Sequence, residues 1–250
     1  MRIHAISDLH VDFKDNGEWV AQISREDYRD DVLLVAGDIA HQRALLARAL
    51  DELRSRFARV FFVPGNHDVW VRGETGDSLQ KLDALRALCE GCGVEMEWAQ
   101  IGSVRIVPLM SWYRSEFDPR AAALQGDVRM AWGDFRFCRW PEGTGALDDY
   151  FSALNAALGP GEGVTISFSH FLPRWELLPD RDFLRFKNLP RVAGSPLIEK
   201  QLRALGSSVH VFGHSHIPCD IELDGVRYVQ HPLAYPRERR GRMVRLKQVV

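Results

Sequence analysis

Apolar residues in the first half of the chain come in short unbroken runs, separated by stretches with a helical repeat. Met1–Ser7, Asp31–Ala36 and Arg59–Val63 are runs of the first kind and read as buried strands. Between the last two, Leu45, Leu46, Ala49, Leu50, Leu53 and Phe57 recur at helical spacing across Arg43–Phe57. Ser78–Cys89 repeats that spacing with Leu79, Leu82, Leu85 and Leu88. The alternation predicts βαβ units and a mainly parallel sheet. Further strands are expected over Ser103–Leu109, Val164–Ser169, Val209–Phe212, Cys219–Leu223 and Val226–Gln230. Helices are expected over Asp148–Leu158, stopped by Gly159-Pro160-Gly161, and over Ile198–Leu205. Asp224-Gly225 between the last two strands is a hairpin signal, so the chain should end in antiparallel strands.

Trp112–Gly145 breaks the pattern. Trp112, Tyr113, Phe117, Trp132, Phe135, Phe137 and Trp140 lie there among many charges, without a clear period. The segment reads as an insertion packed over one end of the sheet. No repeat, low-complexity stretch or linker divides the 250 residues, which fit one domain over 1–250.

Composition narrows the class only slightly. Hydrophobic residues make up 46% and charged residues 26%, which excludes a disordered or collagen-like chain. No apolar run approaches the ~18 residues of a membrane span. The apolar stretch at the N-terminus is short and broken by His4 and Asp8, so it does not read as a signal peptide and a cytoplasmic location is expected. With 32 basic against 34 acidic residues, a general nucleic-acid coat is disfavoured. Cys89-Glu90-Gly91-Cys92 has metal or redox spacing, but it ends a helical pattern and has no second pair, so structural or free thiols are expected.

Nine histidines remain, and their positions matter more than their number. In open α/β folds, ligands bind beyond the carboxyl ends of the strands. Five expected strands end in Asp8-Leu9-His10, Gly37-Asp38, Gly65-Asn66-His67-Asp68, His170 and Gly213-His214-Ser215-His216. Each piece alone has a bland reading: Gly-Asp is a routine turn, and a lone histidine is commonly a hydrogen-bonded core residue. Their joint occurrence, in order and each at a strand end, points to a site.

In that order the motifs resemble the calcineurin-like metallophosphoesterase superfamily, from Asp8 to His216. The resemblance implies an α/β fold, a β-sandwich flanked by helices in four layers (α/β/β/α). It also implies a centre of two divalent ions. Asp8, His10, Asp38 and His216 would hold one ion. Asp38 would bridge to a second ion held by Asn66, His170 and His214, and the division between His214 and His216 is the open part of this map. Imidazole and carboxylate together suit zinc, iron or manganese. Hydroxide would attack phosphorus in line, with His67 protonating the leaving oxygen or stabilising the transition state. Asp68 reads as structural.

One departure from the resemblance matters. The phosphoprotein-phosphatase branch carries Gly-Asp-x-x-Asp, whose second acid orients the catalytic histidine. Here Gly37-Asp38-Ile39-Ala40 is followed by His41. A Ser/Thr protein phosphatase is therefore disfavoured, and the orientation of His67 is left without a partner. His41, Arg114 and His231 are candidate substrate contacts, each with a surface or salt-bridge reading beside it. His4 and His210, inside strands, read as core residues. Arg237, Arg239, Arg240, Arg242, Arg245 and Lys247 form either a solvated end strand or a basic rim for an anion.

The expected activity is metal-dependent hydrolysis of a phosphoester, with a lean to a phosphodiesterase or a small-molecule phosphoesterase, because the Gly-Asp-x-x-Asp acid is missing and the aromatic insertion suits stacking on a base or another planar group. A nucleotide is one form the substrate could take. A nuclease and a metal-free protein-binding scaffold are the competing classes. No membrane partner is expected.

Overall fold

The computed structural model describes residues 1–123, 127–239, 241 and 243–250. Leu124, Gln125 and Gly126 of the aromatic segment, and Arg240 and Arg242 of the tail, lie outside the described residues. The strands are β1 (Ile3–Ile6), β2 (Val32–Ala36), β3 (Arg59–Val63), β4 (Ala99–Ile101), β5 (Val104–Pro108), β6 (Val164–Phe168), β7 (Ser207–Phe212), β8 (Cys219–Leu223), β9 (Val226–Gln230) and β10 (Lys247–Gln248). The helices are α1 (Lys14–Ala21), α2 (Arg43–Arg54), α3 (Ser78–Cys92), α4 (Val128–Ala131), α5 (Asp134–Phe137), α6 (Leu147–Leu154), α7 (Pro196–Ala204) and α8 (Pro236–Arg239).

Two sheets form, in the orders β10-β1-β2-β3 and β4-β5-β6-β7-β9-β8. β1, β2 and β3 run parallel, as do β5, β6, β7 and β9. β8 pairs antiparallel with β9, and β10 antiparallel with β1. The sheets face each other through Ala5, Leu34, Phe61 and Val63 on one side and Ile106, Phe168, Val211 and Val229 on the other. Alternate residues, such as Ile6, Leu33, Val35 and Phe62, turn outward and pack with Leu46, Leu50, Leu53, Leu82 and Leu85 of α2 and α3. A strand covered on both faces must be apolar throughout, which is why these strands read as continuous runs. Helix α3 is closed at both ends, by an Asp77/Gln80 capping box and by Gly93 at φ 68°.

The layered α/β fold agrees with the sequence reading, with differences at the edges. Helix α1 was not visible in the pattern, because only its last three residues are apolar. It is pinned by buried Asn16, whose side chain donates to the carbonyls of Leu9 (2.7 Å) and Ala234 (2.9 Å). The expected helix over Asp148–Leu158 is shorter, ending at Leu154. The aromatic segment is not mainly a platform for a planar ligand. Trp112 and Phe117 are buried, and Trp112 packs on Trp140, Phe151 and Phe171. Burial of large rings is worth kilocalories each, so they fill the core. Cys89, Cys92, Cys138 and Cys219 are free thiols.

Candidate metal centre

The loops after β1, β2, β3, β6 and β7 converge at one place, and their backbone is forced into unusual shapes to do so. Seven non-glycine residues have positive φ among the described residues, and five of them are expected ligands: Asp8 (54°), His10 (43°), Asp38 (57°), His214 (74°) and His216 (58°). Left-handed backbone costs an L-residue roughly 1–2 kcal/mol, and strain of this kind gathers at functional sites. Two glycines make the approach possible. A Cβ at Gly37 would enter the His170 ring, and one at Gly65 would strike the Asp38 carboxylate. Asp68 clamps the loops after β2 and β3. Its buried carboxylate accepts from the backbone N–H of Asp38, Ile39 and Gly65 (2.8 Å each) and of Ala40 (3.0 Å).

The donor atoms fall into two groups. In the first, His216 Nε2 lies 2.9 Å from His10 Nε2 and 3.4 Å from Asp8 Oδ1. In the second, Asn66 Oδ1 lies 3.1 Å from both His170 Nε2 and His214 Nδ1, and those nitrogens are 3.2 Å apart. Asp38 stands between, with Oδ1 3.5 Å from His170 Nε2 and Oδ2 3.9 Å from His10 Nε2. His214 thus faces the second group and His216 the first.

The outer atoms of these side chains are tied down. His170 Nδ1 is 2.9 Å from the Ala36 carbonyl, and His214 Nε2 is 2.9 Å from the Val192 carbonyl. His216 Nδ1 is 2.7 Å from Glu238 Oε2. Each acceptor takes the ring N–H, which leaves the inner nitrogen as a lone pair. Asn66 Nδ2 donates to Asp134 Oδ1 (2.8 Å), so its carbonyl oxygen also points inward. Lone pairs aimed at one another at about 3 Å repel unless a cation sits among them. A second layer of carbonyls and carboxylates behind imidazoles is how proteins orient metal ligands. The donor set therefore fits divalent cations.

Electrostatics agree with the packing. Burial, and then the neighbouring imidazoles, hold His10, His67 and His214 well below the usual histidine range. Burial likewise lowers His170. Burial opposes the charge on His216 too, but Asp8 and Glu238 raise it to about 9. Burial, with Asp68 and Asp8 nearby, pushes Asp38 well above the carboxylate range, and a cation relieves that repulsion.

His67 follows Asn66 and lies beside the first group. Its ring stacks on Trp70 (centroids 3.7 Å, 27°), and its Nε2 is 3.9 Å from Asp38 Oδ2. His67 and four of the expected ligands, Asp38, Asn66, His214 and His216, line a cleft of ≈ 740 Å³, walled by Trp132, Phe183, Phe186, Leu189 and Ile217, with Tyr235, Arg185 and Arg237 also lining it. Trp132 is the one ring of the seven picked out in Trp112–Gly145 that reaches this lining.

Three expected substrate contacts are not brought to the cleft lining. His41 Nδ1 pairs with Asp12 (2.8 Å), and His231 Nε2 lies 2.6 Å from the Arg245 carbonyl. Arg114 spends its guanidinium on Asp148 (2.6 and 3.0 Å) and Asp149 (2.9 Å), which is a structural arrangement. His4 is buried against Asp31 (3.2 Å), and His210 sits between Ser167 (2.8 Å) and Ser169 (3.0 Å) inside the sheet. From the basic tail, Arg237 lines the cleft, while Lys247 pairs with Asp220 (2.6 Å). Glu238 and Asp134 escaped the sequence reading. Glu238 had one signal, as the single acid in a basic tail. Asp134 had none beyond being an acid among aromatics. Among the described residues, no helix is long and apolar enough to cross a membrane.

Known proteins share this architecture. The chain is 30% identical over 262 residues to the acyl-carrier-protein phosphodiesterase PptH of Mycobacterium tuberculosis, covering 95% of this chain and 79% of that protein. The crystal structure of phosphopantetheinyl hydrolase (PptH) from that organism superposes with a TM-score of 0.80 at 27% identity, covering 100% of this chain and 95% of the other. The profile of the calcineurin-like phosphoesterase family matches residues 1–218, and the chain belongs to that family, as a hydrolase of phosphoester bonds.

Proposed function

We propose that the chain hydrolyses a phosphodiester in which one ester arm is a phosphopantetheine-like chain carried on a protein, using two divalent ions of manganese, iron or zinc. The observation that carries the two-ion part is Asp38, which turns one oxygen toward each donor group. In this reading Asp8, His10, Asp38 and His216 hold one ion, and Asp38, Asn66, His170 and His214 hold the other. Bound ions of this kind lower the pKa of water and neutralise phosphoryl charge. The rest falls to the chain's own residues. His67 lies on the cleft side of the site, where its ring, neutral before substrate binds, would gain a proton as the anionic phosphoester arrives and pass it to the leaving oxygen. Trp70 keeps that ring in its plane. Arg185 and Arg237 draw the anion in from the rim.

Support for the substrate comes from two sides. The relative PptH is named for acyl-carrier protein and phosphopantetheine. The cleft lined by Asp38, Asn66, His214 and His216 is also lined by Trp132, Phe186, Leu189 and Ile217, apolar surface suited to a long arm of mixed amide and apolar character. Water would attack phosphorus, the bond to the carrier's ester oxygen would break, and phosphopantetheine would leave as the phosphomonoester. The complete donor set argues against a metal-free scaffold.

The test is direct. Manganese-loaded protein should hydrolyse bis-p-nitrophenyl phosphate faster than p-nitrophenyl phosphate. It should also convert a phosphopantetheinylated carrier protein to its unmodified form, read by intact mass. A strong preference for the monoester would contradict the diester reading, and an unaltered carrier would remove the pantetheine arm from it.

A further inference from the structure

The motif that orients the catalytic histidine in the phosphoprotein-phosphatase branch is broken here, because His41 stands where a second acid would be. Among the described residues, no side chain hydrogen-bonds the His67 ring. Its ring is stacked on Trp70 at 3.7 Å and lies edge-on to His10 at 4.8 Å, with the Asp38 carboxylate 3.9 Å from its Nε2, beyond hydrogen-bond reach. The stack can fix the plane of His67 only if Trp70 is itself fixed.

Trp70 is fixed from the aromatic segment. Its Nε1–H donates to Asp134 Oδ1 (2.6 Å). The backbone N–H of Val71 donates to the Phe137 carbonyl (2.9 Å), which ties α5 beside the same turn. Gly133 lets the two approach, since a Cβ there would lie 2.9 Å from Trp70 Cζ2. The carboxylate does more than hold the indole. Oδ1 also accepts from Asn66 Nδ2 (2.8 Å), and Oδ2 accepts from Trp132 Nε1 (2.7 Å). Asp134 is 3% exposed, so few of these bonds are shared with water. One buried carboxylate therefore touches a metal-facing amide, the support of His67 and a wall of the cleft.

We propose that Asp134 is the positioning residue of this site: it replaces the missing acid at one remove, setting the His67 ring through Trp70 and the Asn66 carbonyl directly. This rests on the reading of His67 as proton donor. The chemistry is a matter of geometry. An alkoxide leaves from phosphorus only with a proton delivered to it, whereas p-nitrophenolate leaves without that help. A tilted His67 should therefore slow alkyl diesters and spare aryl ones, a pattern that simple loss of folded protein does not produce.

The experiment compares His67→Ala, Trp70→Phe and Asp134→Asn, each purified and loaded with manganese. Bound metal, thermal midpoint, and kcat and KM are measured for a p-nitrophenyl diester and for an alkyl diester. Trp70→Phe keeps a ring under His67 but removes the N–H to Asp134, and it serves if Asp134→Asn does not fold. The expected result for Trp70→Phe is unchanged metal content, KM for the alkyl diester within about twofold, and kcat for it lower by about tenfold, with little change for the aryl diester. Asp134→Asn should add weaker metal retention, because one amide oxygen replaces two carboxylate oxygens facing the donors of Asn66, Trp70 and Trp132. Equal slowing of both diesters by Trp70→Phe, or none of either, would overturn the positioning role while His67→Ala still discriminates between them. If His67→Ala itself fails to discriminate, the proton-donor reading falls and the positioning role with it.

Discussion

The loops at the strand ends and the segments that cover them reach the same donor atoms by different means. The loops deliver donor side chains from fixed backbone: Asp8, His10, Asp38, His214 and His216 all sit at positive φ, directly after buried strands. The covering segments deliver orientation through side chains and carbonyls far away in sequence. Asp134 reaches Asn66 across 68 residues, and Glu238 reaches His216 across 22. The difference teaches that the supply of donor atoms and their alignment are separable properties, held by separate parts of the chain. Substitutions in the loops should abolish the site, while those in the cover should detune it.

The largest effect expected on the loop side is Asp38→Asn. It removes one charge shared by both donor groups, and several kcal/mol of lost stabilisation correspond to roughly 10³-fold in rate. Elemental analysis should find metal lost as well. Near-normal activity and metal content would break the comparison at its first term. On the covering side, Glu238→Gln should weaken metal retention by about 10–100-fold without abolishing turnover at saturating metal. A chelator titration checks this, and unchanged retention would make the tail a bystander.

The smallest effect comes from a histidine outside both regions. His210 lies inside the second sheet, and burial lowers it from the usual 6.5 to about 3. The unfolded chain takes up a proton near pH 6.5 that the folded chain refuses. Stability is therefore intact above that pH and is lost as pH falls toward 3. At pH 5 the loss is about 2 kcal/mol. Urea unfolding of the His210→Asn variant at pH 7 and pH 5 should show a flatter acid limb than the parent. An unchanged limb would place the acid sensitivity elsewhere, in the donor groups themselves.

The same contrast explains what could be read from the sequence. The ligand motifs are local, each within a few residues of a strand end, so Asp8 to His216 could be found without coordinates. The strands were legible because burial on both faces demands unbroken apolar runs. Helix α1 was not, because most of its residues are polar and a buried asparagine holds it. The Val192 carbonyl behind His214 has no sequence signature at all, since every residue carries one. Asp134 looks like any other acid until the fold brings Asn66, Trp70 and Trp132 to it. The aromatics of Trp112–Gly145 were legible as a cluster but not as to their use. Whether a ring fills the core or faces a ligand depends on partners such as Phe151 and Phe171, which lie outside the segment.

The proposed chemistry depends on two ions sharing Asp38. The most direct measurement is anomalous scattering from crystals of manganese-loaded protein. Two peaks about 3.5–4 Å apart are expected, one coordinated by Asp8, His10 and His216 and the other by Asn66, His170 and His214, with an Asp38 oxygen on each. A single peak, or a pair that leaves Asp38 uncoordinated, would contradict it.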